Sequence, residues 1–166
     1  MKKMICVAAL AALVAGCGAP ETKQAAAPAK AACEPPPAAI VKKDLVEGDG
    51  RTAISLTSAL VFYTGWVYDP CKPDHKGAEF DTNVGKRVPF GFRIGAGKVI
   101  KGWDEGLPGM KEGGKRLMII PSAYGYGATE IPGKIPANSA LVFEVDLVQL
   151  SGPGLPPPPN RKIPPK

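Results

Sequence analysis

Hydrophobic and polar positions alternate most clearly near the end of the chain, in residues 141–148. This segment reads LVFEVDLV, with apolar residues at every odd position and with Glu144 and Asp146 at even positions. A period of two residues is typical of a strand that buries one face in the core and leaves the other largely in water. We therefore predict a half-buried β-strand here.

Four other segments have the composition of strands. Residues 60–68 are β-branched and aromatic, which predicts a buried strand with alternate side chains on opposite faces. In residues 90–94, Phe and Ile alternate with Gly and Arg, and residues 115–120 form a further apolar run that ends before a proline. Leu45 and Val46 indicate a short strand that is followed by the turn residues GDG.

The central stretch VIKGWDEG, residues 99–106, predicts one short helix. Two acidic residues stand near its start, and Gly106 and Pro108 end it within about two turns. A helix this short needs tertiary packing to be stable, and Trp103 can bury a large area if a sheet wraps around it. Short strands, one short helix and Gly- and Pro-rich connections together indicate an antiparallel α+β domain.

Residues 1–17, MKKMICVAALAALVAGC, have a positive start, an apolar run and a small-residue end, which is the pattern of an export signal. The run is shorter than the ~20 apolar residues of a membrane-spanning helix. Its end resembles a bacterial lipoprotein signal, which implies that Cys17 is lipidated and becomes the new N-terminus. Gly18 follows in place of the Asp that tends to retain lipoproteins in the inner membrane, so the resemblance implies an outer-membrane anchor facing the periplasm. An ordinary signal peptide, cut near an incidental Cys, is the alternative.

Low-complexity segments flank the predicted domain, residues 41–150. Residues 18–40 consist mainly of Ala, Pro, Lys and Glu, a composition that cannot bury enough apolar area to offset the entropy of ordering. We predict a disordered tether that holds the domain away from the membrane. Residues 151–166, SGPGLPPPPNRKIPPK, form a basic, Pro-rich tail that we also expect to be disordered.

Several function classes find no support in the sequence. The formal net charge of +6 is spread along the chain without a basic face that carries interleaved aromatic residues, so nucleic acid is not an expected partner. The stretch GAGKVIKG lacks the GxxxxGK[ST] spacing of a phosphate-binding loop. No nucleophile stands at a recognisable spacing from a base, and Cys71 with His75 supplies too few ligands for a metal site.

Two cysteines remain in the exported chain if Cys6 is removed with the signal and Cys17 carries lipid. Cys33 and Cys71 then share an oxidising compartment, where they can form a disulfide bond. Such a bond needs Cα atoms within roughly 7 Å, and two free thiols are the alternative. His75, the one histidine, is expected in a solvent-exposed loop.

Six segments, taken in order, resemble the FKBP-type peptidyl-prolyl cis-trans isomerases, or immunophilins: VFYTG, EFDTN, PFGFRIG, VIKGWDEG, MIIPSAYGYGATE and IPGKIPANSALVFEVDLV. The resemblance covers residues 41–150 and implies a five-stranded antiparallel sheet curled around one short helix. It also implies rotation of X–Pro bonds in exported proteins, without a cofactor. The implied partners are Pro-containing segments of those proteins and macrolides of the FK-506 and rapamycin type. A monomer is expected, because no long N-terminal helix is present to pair two subunits.

The resemblance assigns a pocket residue by residue. Trp103 is expected under the proline ring, and the Ile100 N–H and the Tyr126 hydroxyl are expected to donate hydrogen bonds to substrate carbonyls. Asp81 is expected to be a partly buried carboxylate that Tyr63 positions beside the twisting amide. The implied catalytic residues are Asp81, Tyr126, Trp103, Phe143 and Ile100, and the implied substrate-binding residues are Tyr63, Phe80, Phe90 and Val99.

Such a pocket suits a reaction that breaks no bond. Rotation about an X–Pro amide meets a barrier of about 18–20 kcal/mol, which comes from lost resonance. A dry pocket that fits the twisted amide better than either planar isomer lowers that barrier. Taken singly, each aromatic residue can be an ordinary core residue and Asp81 a turn residue, but together and in this order they favour the site.

Two departures from the family pattern lie in residues 129–137, the loop that is expected to overhang the pocket. We call this loop the flap. Ile131 stands where some members carry His, and Lys134 occupies a position that is often apolar. Substrate preference and macrolide affinity can therefore differ from those of the family. A second hypothesis is a non-catalytic, chaperone-like surface lipoprotein that uses the pocket only to hold Pro-containing segments, but Asp81 and Tyr126 favour the enzyme.

Overall fold

A computed structural model describes residues 33–157 of the chain. Six strands and one α-helix follow one another in the order β1 (Val41–Val46), β2 (Ser58–Tyr68), β3 (Lys76–Thr82), β4 (Phe90–Arg93), α1 (Lys101–Gly106), β5 (Lys115–Ile120) and β6 (Leu141–Ser151). Two 3-10 helices lie at Pro73–His75 and Ser122–Tyr124. The predicted export signal with Cys17, residues 18–32 of the predicted tether and residues 158–166 of the predicted tail lie outside the described residues.

The six strands form one antiparallel sheet in the order β1-β5-β6-β2-β3, with β4 also paired to β2. β4 pairs with residues 58–61 of β2, and β3 pairs with residues 64–68. These two short strands thus share one side of β2, and the sheet is five strands wide although it contains six strands. The predicted α+β class, an antiparallel curled sheet with one short helix, is confirmed. The additional strand is β3, whose sequence KGAEFDT has no regular alternation.

Helix α1 packs against the inner face of β5 through two glycines. A Cβ atom on Gly102 would lie 2.4 Å from Cγ2 of Ile120, and one on Gly106 would lie 2.5 Å from Sδ of Met118. Any larger residue at these positions would push the helix away from the strand. The close approach helps to bury Trp103, which is only 4% exposed and provides the packing that this short helix requires.

The main core lies between the inner face of the sheet and α1. Its largest fully buried side chains include Ile94, Leu107, Met118, Ile120, Leu141 and Leu147. A smaller cluster on the opposite face of the sheet consists of Leu117, Ile119 and Val142, with Trp66 and Tyr68 packed against them. Val142 is fully buried, so this end of the outer face of β6 is drier than its alternating pattern predicts.

The segment before β1 is attached to the loop after β2. Cys33 and Cys71 form a disulfide bond with a Cα–Cα distance of 4.3 Å. The N–H of Glu34 donates to the carbonyl of Pro70 at 3.0 Å, and the Tyr68 hydroxyl donates to the carbonyl of Glu34 at 2.8 Å. The end of the predicted tether is therefore held against the domain, and the attachment includes Cys33 and Glu34, which precede β1.

His75 is half-buried, whereas the sequence predicted an exposed loop residue. Its ring stacks on Tyr68 at a centroid distance of 4.6 Å, and its Nε2 lies 3.9 Å from a carboxylate oxygen of Glu34. The stacked phenol ring of Tyr68 therefore covers one face of the imidazole.

At the other end of the domain, β6 continues to Ser151, and Leu155 packs against the main core. The first residues of the predicted tail thus belong to the fold. Among residues 33–157, no helix has the length and apolar character that crossing a membrane requires.

Candidate active site

A cavity of about 220 Å³ opens between the sheet and α1. Its lining consists of Tyr63, Phe80, Asp81, Phe90, Lys98, Val99, Ile100, Trp103, Tyr126 and Phe143. Nine of these are the residues that the family resemblance assigned to the pocket, and Lys98 is the tenth. The structure therefore brings all nine together from four strands, one helix and two loops.

Trp103 forms the floor of the cavity. Tyr63 and Phe143 meet its ring edge-on at centroid distances of 5.1 and 5.3 Å, and Phe92 lies at 5.3 Å. Edge-to-face aromatic packing is favourable and fixes the orientation of the indole. The indole Nε1 is buried and has no hydrogen-bond partner among the described residues. A buried donor without a partner is uncommon in proteins.

A β-bulge in β3 directs two consecutive side chains into the cavity. Gly65 of β2 pairs with Asp81. The next residue of β2 pairs with Glu79, so Phe80 is an extra residue in β3. In a regular strand consecutive side chains point to opposite faces, whereas here both Phe80 and Asp81 line the cavity.

The carboxylate of Asp81 is held by a phenol from the neighbouring strand. The Tyr63 hydroxyl donates a hydrogen bond of 2.5 Å to Oδ2 of Asp81. Burial and the nearby carboxylate both raise the pKa of the Tyr63 phenol, and the same two causes raise the pKa of Tyr126. Both phenols therefore stay protonated at neutral pH and act as hydrogen-bond donors.

The rim of the cavity is open to solvent. Phe90 and Tyr126 are 41% and 37% exposed, respectively. Ile100 directly precedes α1, and its carbonyl accepts the N–H of Trp103 at 2.9 Å. Because N–H groups at the start of a helix have no acceptor within the helix, the N–H of Ile100 is available to a ligand.

Asn83 supports the site and was not identified from the sequence. Its side chain is buried, and its Oδ1 accepts the N–H of Tyr63 at 2.6 Å while its Nδ2 donates to the carbonyl of Val61 at 3.1 Å. These bonds extend the pairing of β2 beyond the end of β3 and fix the backbone that carries the Tyr63 phenol. The sequence motif that could have identified Asn83 is DTN, in which we assigned a role to Asp81 alone.

Asp104 supports the loop before α1 and was also missed. Its two carboxylate oxygens accept the N–H groups of Gly95 and Gly97 at 2.7 and 2.9 Å. Both glycines have positive φ values, of 73° and 66°, which favour glycine over other residues. The loop that they shape carries three lining residues, Lys98, Val99 and Ile100. No sequence pattern pointed to Lys98 as a lining residue, since lysine is common in surface loops.

The cavity combines apolar walls with a few polar groups, namely the Asp81 carboxylate, the Lys98 ammonium and two phenols. Within residues 33–157, no group of three or more His, Cys, Asp and Glu side chains is placed to hold a metal ion. Such a cavity can bind a compact apolar ring and orient the polar atoms attached to it. It can thereby favour one conformation of a ligand over another.

Comparisons with known proteins agree with this geometry. The sequence model described as FKBP-type peptidyl-prolyl cis-trans isomerase matches residues 50–148. The FK506-binding protein of Neisseria meningitidis (serogroup A) is 44% identical over 111 residues, which are 67% of this chain and 95% of that protein. The human peptidyl-prolyl cis-trans isomerase FKBP2 is 49% identical over 88 residues, 53% of this chain and 57% of that protein. The crystal structure of AtFKBP13 superposes with a TM-score of 0.57 at 32% identity and covers 68% of this chain and 93% of that one.

Proposed function

This chain belongs to the family of FKBP-type peptidyl-prolyl cis-trans isomerases, and from that membership we propose that it accelerates X–Pro rotation in exported proteins by binding the twisted amide in its aromatic cavity. Membership of the family establishes the enzyme class, and we propose the mechanism and the client proteins. The observation that carries it is the cavity floored by Trp103, in which the carboxylate of Asp81 lies beside two phenols.

The mechanism requires only that the cavity prefer the twisted amide. Rotation about an X–Pro bond costs about 18–20 kcal/mol because the amide loses its resonance. Each ~1.4 kcal/mol of preference for the twisted form gives a tenfold increase in rate. The rings around Trp103 exclude water from the proline, and water otherwise stabilises the more dipolar planar amide.

The polar groups of the cavity act on the substrate as follows. The Ile100 N–H and the Tyr126 hydroxyl bind substrate carbonyls and fix the chain on either side of the proline. The Asp81 carboxylate, held by Tyr63, faces the amide as it twists and loses its resonance charge. No proton is transferred, so the donors have to be positioned but not titrated.

We further propose that the protein acts at the bacterial cell envelope, anchored through a lipid on Cys17. The support is the export pattern of residues 1–17 and the Ala- and Pro-rich stretch that follows it. A mass measurement of the purified mature protein tests this. We expect a chain that begins at Cys17 and carries the mass of a diacylglyceryl group, whereas a mature chain with an unmodified N-terminus would contradict the proposal.

Macrolides of the FK-506 and rapamycin type are proposed as competitive ligands of the same cavity. The support is the name of the Neisseria relative, an FK506-binding protein, together with the aromatic lining of the cavity. The expected result is that FK-506 inhibits isomerisation of a short proline peptide, with an affinity that Lys134 and Ile131 in the flap modify.

The reaction is tested with the full-length chain and a chromogenic tetrapeptide. Isomerisation of the proline in this peptide limits the rate of the colour change. Asp81→Ala and Tyr126→Phe are each expected to lower kcat/KM about tenfold without unfolding the domain, because each removes one polar contact. Trp103→Ala is expected to lower both activity and stability, the latter by about 3–5 kcal/mol. Tyr124→Phe, outside the cavity, is the control and should change neither.

Wild-type kcat/KM in all three cavity variants would refute these roles. A wild-type chain that binds proline peptides but leaves their isomerisation rate unchanged would instead support the non-catalytic binding module.

A further inference from the structure

A second depression, larger than the active-site cavity, lies beside it. Its volume is about 670 Å³, compared with about 220 Å³ for the cavity. One wall is the connection between β2 and β3, and the other is formed by residues 130–136 of the flap. We call this depression the flap groove. Its size lies within the range of sites that bind ligands.

The floor and walls of the flap groove are mainly apolar, with charges at the edges. Val67, Ile131, Ile135 and Pro136 supply apolar surface. The charged lining residues are Asp69, Glu130 and Lys134. Such a surface suits a chain that buries apolar side chains and keeps its polar backbone near the rim.

Both walls of the flap groove are held in place by local contacts. In the flap, the N–H of Ile131 and the N–H of Ile135 each donate to the other residue's carbonyl at 2.9 Å. In the opposite wall, Oδ1 of Asp69 accepts the N–H of Cys71 at 3.0 Å, and Cys71 is joined to Cys33 by the disulfide bond. A groove with walls fixed in advance binds at a smaller entropic cost than one that must form around its ligand.

The flap groove continues from the active-site cavity along one strand. Gly77 and Ala78 of β3 line the groove, and Phe80 and Asp81 of the same strand line the cavity. Three residues of a strand span about 10 Å, so a bound polypeptide in extended conformation reaches the groove about three residues from its proline.

We propose that the flap groove binds the part of the client polypeptide that starts about three residues from the isomerised proline, with a preference for extended, apolar sequence. This inference rests on the proposed function, since it places the proline in the cavity. An unfolded exported protein exposes such apolar stretches beside its prolines, whereas a folded one does not. The groove therefore gives the enzyme a means to favour unfolded chains.

The chain's own residues 18–32 are the competing occupant, because they end beside the flap groove at the disulfide of Cys33. Their sequence, GAPETKQAAAPAKAA, has no apolar side chain larger than alanine or proline. Such a segment fills a groove of about 670 Å³ poorly, and little apolar area would be buried. The observations thus favour a client with larger apolar side chains.

The test uses the full-length chain and blocks the flap groove from β3. Ala78 is exposed and lines the groove but not the cavity, so Ala78→Trp fills the groove. Glu79, the next residue, is also exposed but lines neither site, and Glu79→Trp is the matched control. Glu130→Trp blocks the groove from the flap and serves as an independent second variant, since Glu130 is exposed and lines the groove but not the cavity. Thermal unfolding of each variant confirms that it is folded.

The substrates are a tetrapeptide with a central proline and the same core extended on either side by leucines. We expect wild-type kcat/KM to be about tenfold higher for at least one extended peptide than for the core. Ala78→Trp and Glu130→Trp should remove that gain and leave the core peptide within about twofold, and Glu79→Trp should retain the gain.

Three results would overturn the inference. The first is a wild-type chain that does not distinguish extended from core peptides. The second is a loss of activity in Ala78→Trp that is the same for both peptides. The third is a gain of activity on both, which would show that residues 18–32 occupy the flap groove. A wild-type chain that is inactive on the core peptide itself would overturn the proposed function instead.

Discussion

The hydrogen bond from Tyr63 to Asp81 ties two strands of the cavity wall together. Its length is 2.5 Å, and it places the carboxylate beside the ring of Trp103, which Tyr63 also contacts edge-on at 5.1 Å. The Tyr63 hydroxyl is thus expected to act on the reaction through Asp81. Without it, the carboxylate loses its fixed direction.

Tyr63→Phe is expected to lower kcat/KM about tenfold, since a hydrogen bond to a charged group contributes roughly 1.5–3 kcal/mol. In the double variant with Asp81→Ala the effect of Tyr63→Phe should largely disappear, which a structural role of the phenol ring would not cause. The measurement is the peptide assay on the four chains of this cycle. Fully additive losses would mean that the two residues act independently.

The pH dependence of the rate follows from the same two phenols. The pKa values of Tyr63 and Tyr126 are both raised, first by burial and then by Asp81, so both hydroxyls lose their protons only above the ordinary tyrosine range. Because the reaction transfers no proton, kcat/KM is expected to be constant from about pH 6 to pH 9. A rate profile with a steep limb in this interval would indicate acid–base chemistry that the site, as described, does not contain.

At the scale of elements, the loop before α1 depends on one carboxylate. Asp104 accepts the N–H groups of Gly95 and Gly97, and this loop carries Val99 and Ile100 into the cavity. Asp104→Ala leaves both N–H groups without an acceptor, so we expect a several-fold rise in KM, with a smaller change in kcat. Asp104→Asn keeps one acceptor oxygen and should recover part of the loss.

The matched control for Asp104 is Glu105→Ala, an exposed neighbour in the same helix. Peptide kinetics on the three variants distinguish positioning from helix stability. A loss of equal size in Glu105→Ala, or no recovery with Asp104→Asn, would contradict the role of Asp104.

The elements differ in how far their sequences determined them. The strand at residues 141–148 was predicted from its period, because one face packs on a continuous core and the other carries charges. The period cannot find β3, since its bulge inserts Phe80 and breaks the alternation. Phe80 and Asp81 were placed in the pocket by family resemblance alone. The role of Asp104 was not predicted either, because it depends on two backbone N–H groups that no side-chain pattern reports.

At the scale of the whole molecule, two ion pairs join segments that are far apart in the chain, and no sequence pattern predicted them. Arg116 is buried and binds both oxygens of Asp44 at 2.6 and 3.0 Å, which joins β1 to β5. It also donates to the carbonyl of Gly106 at 2.8 Å, at the end of α1. These partners are far apart in the chain, and only the folded sheet brings them together.

The second ion pair, between Arg51 and Glu112, lies just before the start of β5 and contacts the last residues of β6. Glu112 is 5% exposed and accepts from Nη2 of Arg51 at 2.7 Å and from the N–H of Leu150 at 2.5 Å. The same Arg51 nitrogen also donates to the carbonyl of Leu150. Three distant segments of the chain thus converge on one buried carboxylate.

The stability of the domain in acid should depend on this carboxylate. Burial raises the pKa of Glu112, but the hydrogen bonds from Arg51 and Leu150 outweigh burial, so the pKa is lowered overall. A lowered pKa stabilises the fold above the unfolded-state value, near pH 4.5, and the contribution disappears as pH falls through the folded-state value. Glu112→Gln is expected to lower Tm by about 10 °C at pH 7 and to have a shallower loss of Tm between about pH 5 and pH 3 than wild type. Thermal unfolding across this pH range measures both effects, and Glu105→Gln, at an exposed position, is the control. Parallel curves of Tm against pH for Glu112→Gln and wild type would show that acid unfolding is governed by other groups.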